Sequence, residues 1–247
     1  MRLLLLSGLF LVISFLPAVA QVPDLRELIP AGDGTVSGKI IQYIALITIL
    51  SVAPGLLIMV TSFTRFVIAF SFLRSGLGLQ STPANLVLVS LALFLTFFVM
   101  APVFDRAWKD GLEPYTANRI TEVEAYEKIT APFREFMLKN VREKDLAMFD
   151  AMARERMASI PQEGSVDLRV LIPAFMISEL RRGFEIGFLI ALPFLVIDLI
   201  VAMLTMSMGM MMLPPTVISL PFKVLFFVLI DGWNLLVGSL LNSFAIP

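Results

Sequence analysis

Hydrophobic positions along the chain fall into long blocks, divided by one broad polar stretch. Residues 40–60 give 21 consecutive positions without a charge, and 86–104 give 19 more. An α-helix needs about 20 apolar residues to cross a hydrocarbon core of about 30 Å, so both blocks predict membrane-crossing helices. Pro54-Gly55 predicts a kink in the first. Between the blocks, Phe63, Phe66, Val67, Phe70 and Leu73 recur at helical spacing and predict an amphipathic helix. Gly76, Gly78 and Pro83 then mark a turn. Residues 39–104 thus read as a first hairpin. Its connection carries Arg65 and Arg74 and no acidic residue, which predicts a cytoplasmic loop.

The pattern changes at Asp105. Residues 105–182 mix both signs of charge, and Thr121-x-x-Glu124 has the form of a capping box opening a helix. Pro132 suits the first turn of a following helix, whose Phe133, Phe136, Met137 and Val141 share a side. Leu146, Phe149, Met152, Ala153 and Met157 continue a third helical stripe. These features predict a small helical domain in water, on the extracytoplasmic side, with its charges solvated or pairing between subunits. Apolar character returns in 183–213 and 217–241, a second hairpin within 183–247. Neither arm is uniform, since Glu185 and Asp198 interrupt the first and Lys223 and Asp231 the second. A charge in hydrocarbon costs about 2.5–3.5 kcal/mol, so these side chains are expected against protein, partner or water. Glu185 and Lys223 also have the alternative of snorkelling near a helix end. Asp198 is mid-segment, and Lys223 is its first candidate partner.

The bend of this second hairpin holds six of the chain's 14 methionines within residues 203–212, followed by Pro214-Pro215. Met208, Met210, Met211 and Met212 flank Gly209 or follow it directly. Unbranched, polarizable thioethers adapt to variable surfaces. The cluster reads either as a Met-rich turn packed in a core or as a soft seal lining a passage. At the other end, Arg2, the apolar run 3–16 and Ala18-Val19-Ala20 have the form of a secretory signal peptide over 1–20, cleaved between Ala20 and Gln21. An uncleaved anchor helix is the alternative. Residues 21–38, with Pro and Gly, read as an extended arm.

Composition narrows the function. The 247 residues are 58% hydrophobic and 16% charged, with a net charge of −1 and a mean hydropathy of +0.89. Soluble domains average roughly 45–50% apolar residues, so the chain is expected in a membrane. There is no basic excess to attract nucleic acid. Cysteine and histidine are both absent. This excludes disulfides and thiol chemistry, and removes the commonest metal ligand and acid–base group. No catalytic residue, metal site or cofactor is expected. Asp198 and Asp231 on successive apolar segments raise an intramembrane aspartyl protease, but Gly232-Trp233 after Asp231 is not the Gly-x-Gly-Asp setting such enzymes show. A small-solute transporter would predict inverted repeats, and no convincing repeat relates the halves.

Seven stretches in order resemble one family. They are Met59-Val60-Thr61-Ser62-Phe63-Thr64-Arg65-Phe66, Ala92-Leu93-Phe94-Leu95-Thr96-Phe97-Phe98-Val99-Met100-Ala101-Pro102-Val103, Pro132-Phe133-Arg134-Glu135-Phe136-Met137 and Ile172-Pro173-Ala174-Phe175-Met176-Ile177-Ser178-Glu179-Leu180. Pro193-Phe194-Leu195-Val196-Ile197-Asp198-Leu199, Gly209-Met210-Met211-Met212-Leu213-Pro214-Pro215, and Leu220-Pro221-Phe222-Lys223 with Asp231-Gly232-Trp233 complete the set. Together they resemble the FliP family of the flagellar type III protein export gate, over about 39–243. The resemblance implies an all-α integral membrane protein, with about four long apolar helices in hairpins and a small helical extracytoplasmic domain. It implies a homo-oligomer, a pentamer, joined to FliQ and FliR in a helical complex, largely raised above the inner membrane within the flagellar basal body. Other export-apparatus membrane proteins would be its neighbours and unfolded flagellar subunits its cargo. Met210, Met211 and Met212, with Met208, would form a gasket across the closed pore. Glu179, Asp198, Lys223 and Asp231 would be structural or intersubunit charges. The virulence secretion homologue is the alternative, and the signal peptide favours the flagellar branch.

Overall fold

The computed structural model describes residues 36–79, 82–156, 166–209 and 214–244, and every regular element among them is helical. The signal peptide with Ala20 and Gln21, most of the predicted arm, and Met157 lie outside the described residues. Of the arm, only the residues from Val36 are described, and they are already helical. The chain divides into two compact units, Met1–Ser51 and Val52–Pro247. Helix α1, Val36–Met59, contains the boundary and runs unbroken through Pro54-Gly55. In the first unit its side chains Ile41, Ile44 and Ile47 are exposed.

The second unit holds the remaining elements. Helix α2 is Phe63–Leu77, and α3 is Asn85–Arg106. A π-helical stretch, Ala107–Leu112, joins α3 to the short α4, Glu113–Thr116. Helices α5, Glu122–Asn140, and α6, Glu143–Arg156, follow. Helix α7 is Leu168–Ser207, α8 is Pro215–Leu229 and α9 is Gly232–Asn242. Among the described residues three stretches are long and apolar enough to cross a membrane: Ile41–Met59, Asn85–Thr116 and Leu168–Ser207. The pair α8 and α9, bent by 64°, passes the same test only when the two are taken together as one broken span. The fold is therefore the all-α membrane architecture expected from the apolar blocks.

The short amphipathic α2 is the centre of the unit. Its Phe66, Phe70, Leu73 and Leu77 are buried together with Leu88 of α3, Phe175 and Phe194 of α7, and Phe227 of α8. Three consecutive close approaches fix it against α7. A Cβ built on Gly183 would lie 3.0 Å from Ile68, one on Gly187 would lie 2.6 Å from the Phe72 ring, and one on Gly76 would lie 3.3 Å from Ala191. Both sets advance by four residues in the same direction, so α2 and α7 run parallel and in step. Small residues four apart let two backbones approach closely, and the fit is van der Waals packing that lipid cannot replace. Gly187→Leu is therefore expected to separate α2 from α7. Overpacked cores lose about 1–3 kcal/mol. The check is the fraction of monodisperse protein after detergent extraction, which should fall well below that of Gly238→Leu, where a Cβ meets open space.

Helix α7 has 40 residues, about 60 Å at 1.5 Å per residue and twice a hydrocarbon core. The boundary read at 182/183 falls inside it. Arg181 and Glu185, exposed and 2.7 Å apart across one turn, continue the helix across that point. The polar N-terminal half packs with α5 and α6, and the apolar half extends beyond them.

The helical domain starts as expected. Thr121 N donates to Glu124 Oε2 at 2.9 Å, and Glu124 N donates to Thr121 Oγ1 at 3.4 Å, closing the capping box. Its hydrogen bonds from Thr121 hold the Glu124 carboxyl below the ordinary value. Pro132 is a correction. It does not open a new helix but lies within α5. Proline there forgoes one backbone hydrogen bond, and the burial of Phe136 and Met137 one turn later offsets the loss. Arg106 reaches Glu135 at 2.7 Å and Lys139 reaches it at 3.0 Å. Arg106 first, and Lys139 second, hold the Glu135 carboxyl below the ordinary value.

The last apolar segment is broken where the sequence read it as one element. Asp231 adopts a left-handed conformation, φ 51° and ψ 51°, between α8 and α9. At the next residue a Cβ would lie 2.2 Å from the Phe227 ring, so Gly232 permits the turn to close.

Candidate functional site

Two ion pairs, one fully buried and one half-buried, hold the methionine hairpin to the rest of the unit. The first joins α2 to α7. Arg65 Nε donates to Glu179 Oε2 at 2.8 Å, and Nη2 donates to Glu179 Oε1. Both side chains have no exposed surface. Arg65 Nη1 donates to the Ser243 carbonyl at 2.7 Å and to Ser243 Oγ at 2.8 Å. The guanidinium carbon stands 3.6 Å from the centre of the Phe244 ring, a cation–π stack. Phe244 also packs on Phe66 and Phe136. The planar, five-donor guanidinium suits this junction of two helices and the residues that follow α9, where lysine would supply fewer directed bonds. Arg65 is thus not the loop charge read from the sequence. Of the two arginines that argued for a cytoplasmic connection, only Arg74 lies at the turn.

The second pair joins the two arms of the hairpin. Lys223 Nζ on α8 donates to Asp198 Oδ2 on α7 at 2.6 Å, and to the Gly76 carbonyl of α2 at 3.0 Å. Ser219 Oγ donates to the other carboxylate oxygen at 2.5 Å. Lys223 is 3% exposed, so it does not snorkel. Phe194 against Phe226 and Phe227 continues the antiparallel packing of α7 and α8. The Asp198–Lys223 contact can serve as a cross-brace that sets the register of the hairpin. Lys223→Met is expected to be tolerated less well than the double change Asp198→Leu with Lys223→Met. Removing Lys223 leaves the Asp198 carboxylate, 28% exposed, half-buried without its cation, a loss that water partly offsets, whereas replacing both with apolar groups is often near neutral. Thermal unfolding of the purified protein in detergent would separate the two variants, and equal losses would show that the brace is incidental.

Glu179, Asp198 and Lys223 are thus each held within one chain. Asp231 stands apart at the exposed α8–α9 break, touched by the Asn234 side chain at 3.2 Å. It makes no contact with Asp198, and nothing in this arrangement resembles two carboxylates sharing a proton. Glu185 is exposed and paired with Arg181.

Beyond the Asp198 brace the hairpin bears exposed thioethers. Met203, Met206 and Met208 are 63–71% exposed. Gly209, at φ 72°, ends the helical course in a conformation that favours glycine. Pro214 and Pro215 open α8. Met210, Met211 and Met212 lie outside the described residues. An open cavity of about 450 Å³ between the arms is lined by Leu195, Asp198, Leu199, Ala202, Pro215 and Thr216. So many exposed large apolar side chains on one hairpin suit contact with lipid, with other chains or with a passing polypeptide. Sequence reasoning missed Arg65 and Ser243 as partners. The signal for Arg65 was present, as a cation inside an amphipathic stripe.

A family model described as the FliP family matches residues 46–240. The flagellar biosynthetic protein FliP of Rhizobium meliloti (strain 1021) is 66% identical over 212 residues, covering 86% of each chain. That of Bacillus subtilis (strain 168) is 53% identical over 204 residues, covering 83% of this chain and 91% of its own. That of Caulobacter vibrioides is 48% identical over 234 residues, covering 94% of this chain and 86% of its own.

Proposed function

Because the chain belongs to the FliP family, we propose that it is the pore-forming component of the flagellar type III export gate. It passes unfolded flagellar subunits across the inner membrane and is needed to build the flagellum. The observation that carries the pore reading is the hairpin with Met203, Met206 and Met208 exposed at its tip. Met210, Met211 and Met212 continue that series in sequence. In a ring of copies these thioethers meet at the axis and form a gasket. The seal is apolar enough to exclude hydrated ions and soft enough to part for many different side chains. No catalytic step is required of the chain. A pentamer completed by FliQ and FliR accounts for the exposed apolar faces of α3, α7 and α8. The two ion pairs then act as braces within each copy, which keep the hairpin straight while the loop deforms. Asp231, exposed at the bend, is left to meet a neighbouring chain.

The helical domain of α5 and α6 lies on the extracytoplasmic side in this reading, since Arg74 keeps the α2–α3 turn on the cytoplasmic side. A single cysteine at Asn118, in the exposed turn before α5, should react with an impermeant thiol reagent in cells whose outer membrane alone is permeabilised. Reaction only after inner-membrane lysis would reverse the topology. The function itself is tested by affinity purification from flagellated cells. The chain should run as a large complex with two small, very apolar membrane proteins, and cells lacking it should build no flagellum. Recovery of a lone chain from cells that still export flagellar subunits without it would remove the reading.

A further inference from the structure

We propose that the cleft between α2, α3, α8 and α9 is a binding site for one anionic phospholipid, with its acyl chain in the cleft and its phosphate on Arg74. The cleft is a cavity of about 180 Å³ walled by Leu77, Leu88, Phe227, Val228 and Trp233. Arg74 is the one charged side chain among its lining residues, and no carboxylate shares the wall.

The surroundings of Arg74 explain why its charge is available. Three of the carbonyls that end α2 accept hydrogen bonds. Gly78 N donates to the Ser75 carbonyl at 3.0 Å, and Leu79 N donates to the Arg74 carbonyl at 3.2 Å. Lys223 Nζ occupies the Gly76 carbonyl. The nearby carboxylate, Asp198, is taken by Lys223 and Ser219. Among the described residues Arg74 therefore has no acidic partner. A cation at the mouth of an apolar cleft between membrane helices is complementary to a ligand with an apolar tail and an anionic head. Trp233, 41% exposed, stands on the same wall, and tryptophan favours the depth where acyl chains meet headgroups. Its ring is held edge-on by Phe227 at 5.5 Å between centres. A partner's apolar helix would cover the cleft but would leave the arginine uncompensated, so the charge argues for lipid.

Trp233 also provides the readout. The chain has two tryptophans, so Trp108→Phe leaves Trp233 as the single emitter. The full-length protein is reconstituted in phosphatidylcholine bilayers and titrated with bromine-labelled phosphatidylglycerol or bromine-labelled phosphatidylcholine. Bromine on an acyl chain quenches a tryptophan that it touches. Half-maximal quenching by phosphatidylglycerol should need an about fivefold lower mole fraction, equivalent to about 1 kcal/mol for one cation at an anionic headgroup. Arg74→Gln should make the two lipids equal, and Arg74→Lys should keep the preference. Leu88→Phe, which fills the cleft, should weaken quenching by both. Equal quenching in the parent, or a preference that survives Arg74→Gln, would overturn the site. So would resistance of Trp233 to both lipids, the result if another copy or a partner helix covers the cleft.

Discussion

Glu179→Ala is expected to cost about 3–5 kcal/mol, because it leaves the Arg65 guanidinium buried without a counter-charge. Arg65 and Glu179 have no exposed surface, so water cannot replace the lost carboxylate. The damage spreads through three elements. Arg65 lies on α2, Glu179 on α7, and Ser243 and Phe244 follow α9. An unpaired guanidinium would draw in water or turn outwards, releasing Phe244 from Phe66 and Phe136. The thermal midpoint in detergent should drop by roughly 10 °C, and assembly into the large complex should fall with it. Arg65→Met together with Glu179→Met should recover most of the midpoint, since a matched apolar pair removes both charges. If Glu179→Ala unfolds at the same temperature as the parent, the pair does not hold the unit together.

The charges illustrate what the sequence could disclose. Apolar block lengths sufficed for the helices that cross the membrane, since about 20 uncharged residues have few other uses. Asp198 and Lys223 were legible as a pair because each stands alone in an apolar run 25 positions apart, on the two arms of a hairpin. Arg65 was not legible as a core residue. Counting charge along a segment treats each arginine as solvated, and only the packed structure shows Glu179 on a helix more than 100 residues later. Pro132 and Asp231 exchanged roles for a similar reason. Local preference put a helix start at Pro132, yet tertiary packing carried α5 through it. An apolar run hid the left-handed turn at Asp231, although Gly232 beside it was a visible hint. The close approach of α2 and α7 rests on Gly183, Gly187 and Ala191. Their spacing of four is visible in the sequence, but their partner helix is not.

The larger functional effect belongs to the methionine loop. If the proposed gasket holds, replacing Met210, Met211 and Met212 with Ala shortens three side chains in every copy and should open a gap at the axis of the ring. Ions or small solutes should then leak across the membrane, with export reduced less than conductance rises. Ile at the same positions keeps the bulk but restricts χ1, so the seal should hold and export should slow. Neither set touches the Arg65–Glu179 or Asp198–Lys223 braces, so the complex should still assemble.

Ion conductance of the assembled Met210→Ala, Met211→Ala, Met212→Ala complex in a planar bilayer tests the gasket most directly. The account predicts a standing conductance well above that of the parent complex. A fully assembled variant that conducts no more than the parent would contradict it and leave the methionines as packing at a turn.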